Sequence, residues 1–484
     1  MSILGLDIGT TSTKVLFVTE EGEIKKVSRC QYDTRRDTDG SALLRAADLE
    51  AALVSCLAEV SELMEYDPPR ALSISVIGEA IMPLDPLMRP AGDLMIPMDY
   101  RGAALYREFV GAYGKEKLIR RTGIMEHPQV SLSKLLWMEQ DPAPGYYADC
   151  QSYFVSRLTG NFLAEPTMAS RTQYYNLMEL HWDETVLGKA LLSGRKLAPL
   201  VPAGTDAGRV TSEAAEKYGL PRTCRVIVGG FDQVCSSLGA GAVSGGTVTD
   251  NIGTTLSIAC LAREYNDTVD FIEKGFFWSR YVNDLFYLNG GSQAGGIVLQ
   301  WFADKLSLGT KDIGLILDKT RDNTTPAMVF PFFTGAGTPL PGADKRAYIS
   351  GIDLNTSGED IFTAALDSII FEARLIFDEI CRMTGNSNKL IISGSVLRSR
   401  AWMDRKILLY PGVEVYTPVS NETSGFGAAL IAAAGCGLFA TIEDACSHWA
   451  KNTRAAPSVS SVGGPLREKY ERYKEQRYAS LVKA

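Results

Sequence analysis

Residues 3–18 read ILGLDIGTTSTKVLFV, and residues 248–261 read VTDNIGTTLSIACL. Each stretch is an apolar run, a Gly-Thr-Thr turn and a second apolar run. That pattern predicts a tight β-hairpin whose tip exposes backbone N–H groups and hydroxyls, a surface suited to an anion and above all to a phosphate. Two copies in one chain imply a duplicated domain. Related domains packed about a pseudo-twofold axis would carry their equivalent turns to opposite sides of one cleft, where a nucleotide triphosphate could be held from both.

The surroundings of the two turns follow a common plan. ILGLDI, KVLFVT and EIKKVSRCQY read as three strands, the last two joined by EEGE. A helix follows with Asp48 as N-cap, its Leu49, Leu53, Cys56, Leu57, Val60 and Met64 on one face, and ALSISVI (71–77) is a further buried strand. In the second half, DLFYLNGG (284–291) continues the hairpin, and a helix runs through Ile297, Leu299 and Trp301. A long helix covers roughly 358–383 behind a capping box at Ser357–Asp360. The strand KLIISGS, a helix, the strand VEVYTP and an alanine-rich helix come next. Mixed sheets flanked by helices, twice over, predict an α/β protein of two domains, 1–243 and 244–484, with a seam in the small residues GAVSGGT (241–247). The tail from Pro465 reads as one charged surface helix.

The chain's 484 residues are enough for two full hydrophobic cores, and 45% hydrophobic with 22% charged residues is an ordinary globular balance. A net charge of -8 excludes a general basic field for nucleic acid or an anionic membrane. The start MSILGLDIGT does not read as a signal peptide, and AALIAAAGCGLFA (428–440) is too short to span a bilayer, so it reads as a buried helix. Nine scattered cysteines predict packed, reduced thiols in a cytoplasmic protein, and three isolated histidines argue against a His/Cys metal site. There is no P-loop pattern, and GAGAVSGG (239–246) lacks dinucleotide-binding spacing.

Within the first turn, the hydroxyls, the N–H groups and Lys14 suit phosphate oxygens, and Asp7 at the end of its strand is placed to hold Mg²⁺ through water. In CRVIVGGFDQVCSSLGAG (224–241) a buried strand ends in two glycines, then Asp232, then a helix. Carboxylates at that point sit at the mouth of an α/β cleft, where Asp232 could accept a proton from an attacking hydroxyl; the bland reading is a helix N-cap. LNGGSQAGGIVLQWF (288–302) could let a flat ring approach the backbone, and IISGSVLRSRAW (391–402) offers N–H groups to an anion. Glu79, Asp99 and Arg101 are candidates for reading substrate hydroxyls, Glu79 equally well a strand-end surface acid.

Together these motifs resemble the FGGY carbohydrate kinases, from about residue 3 to residue 440. GLDIGTTSTK matches that family's first phosphate turn, RLTGNFLAEPTMASRTQYYNL (157–177) its Leu-Thr-Gly and Ala-Ser-x-Thr segment, and GGFDQVCSSLGAG its catalytic-aspartate segment. GFGAALIAA (425–433) resembles its closing helix. The resemblance implies two ribonuclease-H-like domains of the actin type, with ATP and sugar in an interdomain cleft. It implies Asp232 as general base with Gln233 beside the sugar, and Asp7 near the metal. Thr11, Ser12, Thr13 and Lys14 would meet phosphates from one side and Gly253 and Thr254 from the other, with Gly296, Gln300 and Gly394 at the nucleotide. Arg398 replaces a polar residue close to that nucleotide. Other departures are Gly78-Glu79, Ser152 and Gly335-Ala336-Gly337, which bear on substrate identity.

The expected protein is thus a cytoplasmic ATP- and Mg²⁺-dependent kinase acting on a ketose, polyol or sugar acid, with no nucleic-acid or membrane partner and room for a homodimer. The alternatives are a non-catalytic sugar or nucleotide sensor and an actin-like ATPase. Retention of Asp232 disfavours the first, and the lack of a separate domain after residue 440 disfavours a chaperone-type ATPase.

Overall fold

Strands β1 (Ser2–Ile8) and β2 (Ser12–Thr19) pair antiparallel with Asp7 opposite Lys14, so the first Gly-Thr-Thr turn is the tip of a hairpin. β3 (Ile24–Gln31) extends it on the β2 side. On the other side β4 (Pro69–Val76) runs parallel to β1, β6 (Arg225–Phe231) parallel to β4, and β5 (Asp206–Arg209) antiparallel to β6. The sheet order is therefore β5-β6-β4-β1-β2-β3. This computed structural model describes residues 1–142, 145–190, 196–267, 270–342, 344–385, 387–456 and 463–482.

The second Gly-Thr-Thr turn joins β7 (Thr247–Ile252) to β8 (Leu256–Ala262), again antiparallel. β9 (Phe286–Ser292) lies beside β8. β10 (Lys389–Gly394) runs parallel to β7, β11 (Glu414–Thr417) parallel to β10, and β12 (Thr453–Arg454) antiparallel to β11. Both sheets thus open with a hairpin whose first strand takes a parallel neighbour from later in the chain. The duplication read from the two turns is present in strand order and direction. In these registers Asn251 holds the place that Asp7 holds in the first copy.

By its contacts the chain divides into one unit of Met1–Val243, Trp278–Phe286 and Glu422–Lys451, and a second of Ser244–Phe277, Tyr287–Asn421 and Asn452–Ala484. The alanine-rich helix Thr423–Gly435 belongs to the first, packed on β1, β4 and β6 and against helix Asp232–Gly239. Its small residues are a steric necessity: a Cβ on Gly427 would lie 1.9 Å from the Cys235 carbonyl oxygen, and one on Gly5 would lie 2.0 Å from that of Gly425. The stretch Trp278–Phe286 is tied to the same unit by Trp278 N–H donating to the Gly123 carbonyl at 2.8 Å and Tyr281 Oη–H to the Ala242 carbonyl at 2.7 Å.

Helix Gly358–Thr384 begins at the expected capping box of Ser357 and Asp360. Two local expectations need correction. The first helix is Ala46–Glu59, three residues earlier than expected, with Arg45 at the N-cap and Asp48 inside the first turn, where its charge suits the helix dipole. The C-terminal helix Gly463–Val482 is no mere surface helix. Its Tyr473, Arg477 and Lys469 are buried, because the long helix it covers carries Asp367 and Glu372 inside and needs cations there. Arg477 Nε and Nη2 donate to Glu372 at 2.7 and 2.9 Å. All nine cysteines are free thiols, and no helix among the described residues is long and apolar enough to cross a membrane.

Candidate functional site

Asp232 is delivered by the end of β6, where the chain runs close to its neighbours. A Cβ on Gly229 would lie 2.1 Å from the Ile74 carbonyl oxygen, and Phe231 N–H donates to Thr167 Oγ1 at 2.9 Å. That threonine is gripped by Glu165, which caps helix Pro166–Ala169 and whose carboxyl is pushed up to about 7 by burial. Helix Asp232–Gly239 then starts at Asp232 itself, with Phe231 in the N-cap position. The capping alternative for Asp232 is therefore set aside: its side chain is not at the N-cap. Its Oδ1 is buried with no hydrogen-bond partner among the described residues. Burial first, and then the negative charges of Asp7 and Glu79, push its pKa up to about 8.

Asp7 accepts from Ser75 Oγ at 3.1 Å, and burial raises its pKa against the pull of Lys14. Lys14 Nζ lies 3.8 Å from Asp7 and 2.6 Å from Glu422. In the turn itself Gly9 N–H donates to the Ser12 carbonyl at 3.0 Å. Thr11 is exposed, whereas Ser12 and Thr13 are buried, and the Thr13 hydroxyl is engaged with Tyr32 Oη at 3.3 Å.

A second polar group of the same unit gathers around Glu79. Its backbone adopts a left-handed φ of 51°, and its Oε1 accepts from Arg171 Nε at 2.8 Å and from Nη2. The guanidinium also lies over the Phe231 ring at 5.1 Å, and that ring fills the space a side chain at Gly78 would need. Arg171 arrives at Glu79 from another segment, so Glu79 is a buried ion-pair partner and not a strand-end surface acid. Asp99 is fully buried, accepts from the Ala42 N–H at 3.1 Å and holds Arg101, whose Nη2 is 2.6 Å from Oδ2. Arg101 in turn stacks over Trp137 at 4.0 Å. Lys134 is buried, donates to the Gln129 and Val130 carbonyls, and is brought down to about 7 by burial against the opposing pull of Glu79 and Asp99. Gln233 is half-buried one residue after Asp232. Ser152 gives both its N–H and hydroxyl to Asp149, the cap of helix Cys150–Thr159.

In the second unit a pocket of about 460 Å³ is lined by Gly253, Thr254, Gly296, Gln300 and Arg398, five of the residues singled out in the sequence. Gly394 precedes it: with φ of 91° it turns the chain so that the next residue, Ser395, lines the pocket and donates to the Ile252 carbonyl at 2.9 Å. The turn is joined to the following helix by Gly296 N–H donating to the Gly253 carbonyl at 2.9 Å. Ile297, Leu299, Ile313, Leu317 and Trp402 complete an apolar wall that suits a flat ring.

Sequence reasoning missed Arg171, Lys134 and this wall. Arg171 lies within a motif that stood out, but its pairing with Glu79 depends on tertiary structure. Lys134 bonds to backbone carbonyls, which leave no trace in residue identity. Ile313 and Leu317 share a helix face by their spacing, which was a readable signal.

Residues 2–239 match the profile described as the N-terminal domain of the FGGY family of carbohydrate kinases, and residues 251–436 match that of its C-terminal domain. A gluconokinase of Bacillus subtilis is 25% identical over 458 residues, covering 91% of this chain and 87% of its own. A crystal structure of gluconate kinase from Lactobacillus acidophilus superposes with a TM-score of 0.89 at 18% identity, covering 100% of this chain and 98% of that one. One of Plasmodium falciparum glycerol kinase with ADP does so with a TM-score of 0.88 at 20% identity, covering 100% and 99%. Likeness of this degree shows the fold, mixed α/β with two actin-type, ribonuclease-H-like units.

Proposed function

The chain belongs to the FGGY family of carbohydrate kinases and is a phosphotransferase, and from that premise we propose that it moves the terminal phosphoryl group of ATP to a hydroxyl of a ketose, polyol or sugar acid, with Asp232 as general base. The observation that carries this is the state of Asp232: a buried carboxyl oxygen with no partner among the described residues, its pKa raised to about 8, at the start of the helix that follows β6. Such a group can take a proton from an alcohol close to neutral pH.

The chain's own residues divide the work. Glu79 and Asp99 are fixed by Arg171 and Arg101, so their remaining lone pairs are pre-oriented for sugar hydroxyls, with Gln233 following the base. The apolar wall of the second unit's pocket takes the nucleotide base, a reading supported by the fold shared with the Plasmodium falciparum glycerol kinase crystallised with ADP. Thr254 offers donors to its phosphates, Gly253 and Gly296 leave the backbone open to close approach, and Gln300 and Arg398 stand alongside; Thr11, Ser12, Thr13 and Lys14 form the corresponding turn of the first unit. Transfer requires the nucleotide's terminal phosphoryl group to reach the alcohol held at Asp232.

The donors present also fit Mg²⁺. Asp7 is a carboxylate whose pKa is raised by burial and by the Glu422 charge, which a cation would relieve. Asp7 would hold the ion through water. When bound, Mg²⁺ neutralises charge on the phosphates.

ADP release measured against ketoses, polyols and aldonic acids tests the reading. Turnover that depends on one of these classes supports it. Turnover indifferent to all of them identifies an ATPase, and none identifies a sensor.

A further inference from the structure

Away from both polar groups above, a smaller pocket of about 210 Å³ opens in the second unit beneath the C-terminal helix. It is lined by Thr325, Asp367, Arg405, Leu466, Lys469 and Arg472, among others. Its charge is unbalanced. Arg405 and Lys469 are almost wholly buried and share a single carboxylate: Arg405 Nη2 is 2.6 Å from Asp367 Oδ1, and Lys469 Nζ is 2.8 Å from Oδ2. The Nη1 of Arg405 is occupied by the Arg321 and Asn323 carbonyls at 3.2 and 2.9 Å. Lys469 makes only its one bond to Asp367 among the described residues, so the rest of its ammonium is left without an acceptor. Arg472 adds a third cation at the exposed rim.

Two buried cations on one anion are costly, and a second anion in the pocket would remove that cost. The pocket is smaller than those that take drug-sized ligands, and it sets cationic and hydroxyl donors beside Pro326, Pro465 and Leu466. Lysine and arginine converging in this way suit an oxyanion. We propose that this pocket binds a small phosphate-class dianion, either free phosphate or the phosphate group of a monoester, through Lys469, Arg405 and Arg472. The helix Arg400–Ile407 carries Arg405 to this pocket and Trp402 to the wall of the larger one, so the two share one rigid element.

The test is isothermal titration of the full chain with inorganic phosphate and, separately, with a small sugar phosphate, for the wild type, Arg472→Glu and Lys469→Met. Arg472 is exposed, so Arg472→Glu leaves the core intact, which circular dichroism verifies. The expected result is saturable binding of at least one anion to the wild type, weakened tenfold or more in Arg472→Glu and lost in Lys469→Met. Whichever anion binds more tightly identifies the source. Absence of binding by both anions, or equal affinity in the wild type and Arg472→Glu, overturns the proposal.

Discussion

Lys14 Nζ lies 2.6 Å from the Glu422 carboxylate, bringing a residue of the first hairpin onto one that follows more than 400 positions later in the same unit. The same ammonium is 3.8 Å from Asp7. If Lys14 serves a phosphate, Glu422 competes for it. Lys14→Met is expected to lower kcat/KM for ATP by roughly ten- to a hundredfold, the worth of a charge-assisted bond. Glu422→Gln is expected to move KM for ATP the other way, to a lower value. Steady-state kinetics on both variants check this, and parallel losses would contradict it.

The pH dependence has a definite sign. Asp232 must be ionised to accept a proton, and its pKa is raised to about 8 by burial and by the charges of Asp7 and Glu79. kcat/KM for the acceptor should rise about tenfold per pH unit below that value and level off above it. Removing one of the charges, as in Glu79→Gln, should shift the bend to lower pH, whatever the loss in rate. A bend that stays in place would show that Glu79 is not felt by the base.

The same shift bears on stability. A carboxyl whose folded pKa lies above its unfolded value holds its proton in the folded state over the window from about 4 to 8. Stability contributed by that proton is present at the acid end and lost as pH rises through the window. Asp232→Asn removes the charge, so the variant's melting temperature should exceed the wild type's by more at pH 8.5 than at pH 6. A constant difference would count against a raised pKa.

Packing gives a prediction independent of chemistry. Gly427 faces the Cys235 carbonyl so closely that a Cβ would sit 1.9 Å away. Gly427→Val must separate helix Thr423–Gly435 from the helix that begins at Asp232, at a cost of about 3 kcal/mol or more. Gly253 has open space around its Cβ position, so Gly253→Ala should leave melting unchanged. Comparing the two by thermal denaturation checks the contrast.

Much of this was legible because the hairpins and their following strands are local, with apolar runs broken by Gly-Thr-Thr. The start of the first helix was misplaced because Asp48 is a good cap residue in isolation, yet the chain turns helical before it. The tail looked like a surface helix because its charges are frequent, and only the acids buried on the long helix explain why some point inward. The glycines of Thr423–Gly435 were visible as small residues, but the carbonyls that require them come from distant segments. Arg171 at Glu79 is the clearest case: both residues are plain in the sequence, and their ion pair is not.

Asp232→Asn tests the central claim most directly, through carbohydrate-dependent ADP formation measured alongside nucleotide affinity. The account predicts a loss of turnover of roughly a hundred- to ten-thousandfold, the range for removal of a general base, with nucleotide binding nearly unchanged. Turnover equal to that of the wild type would contradict it.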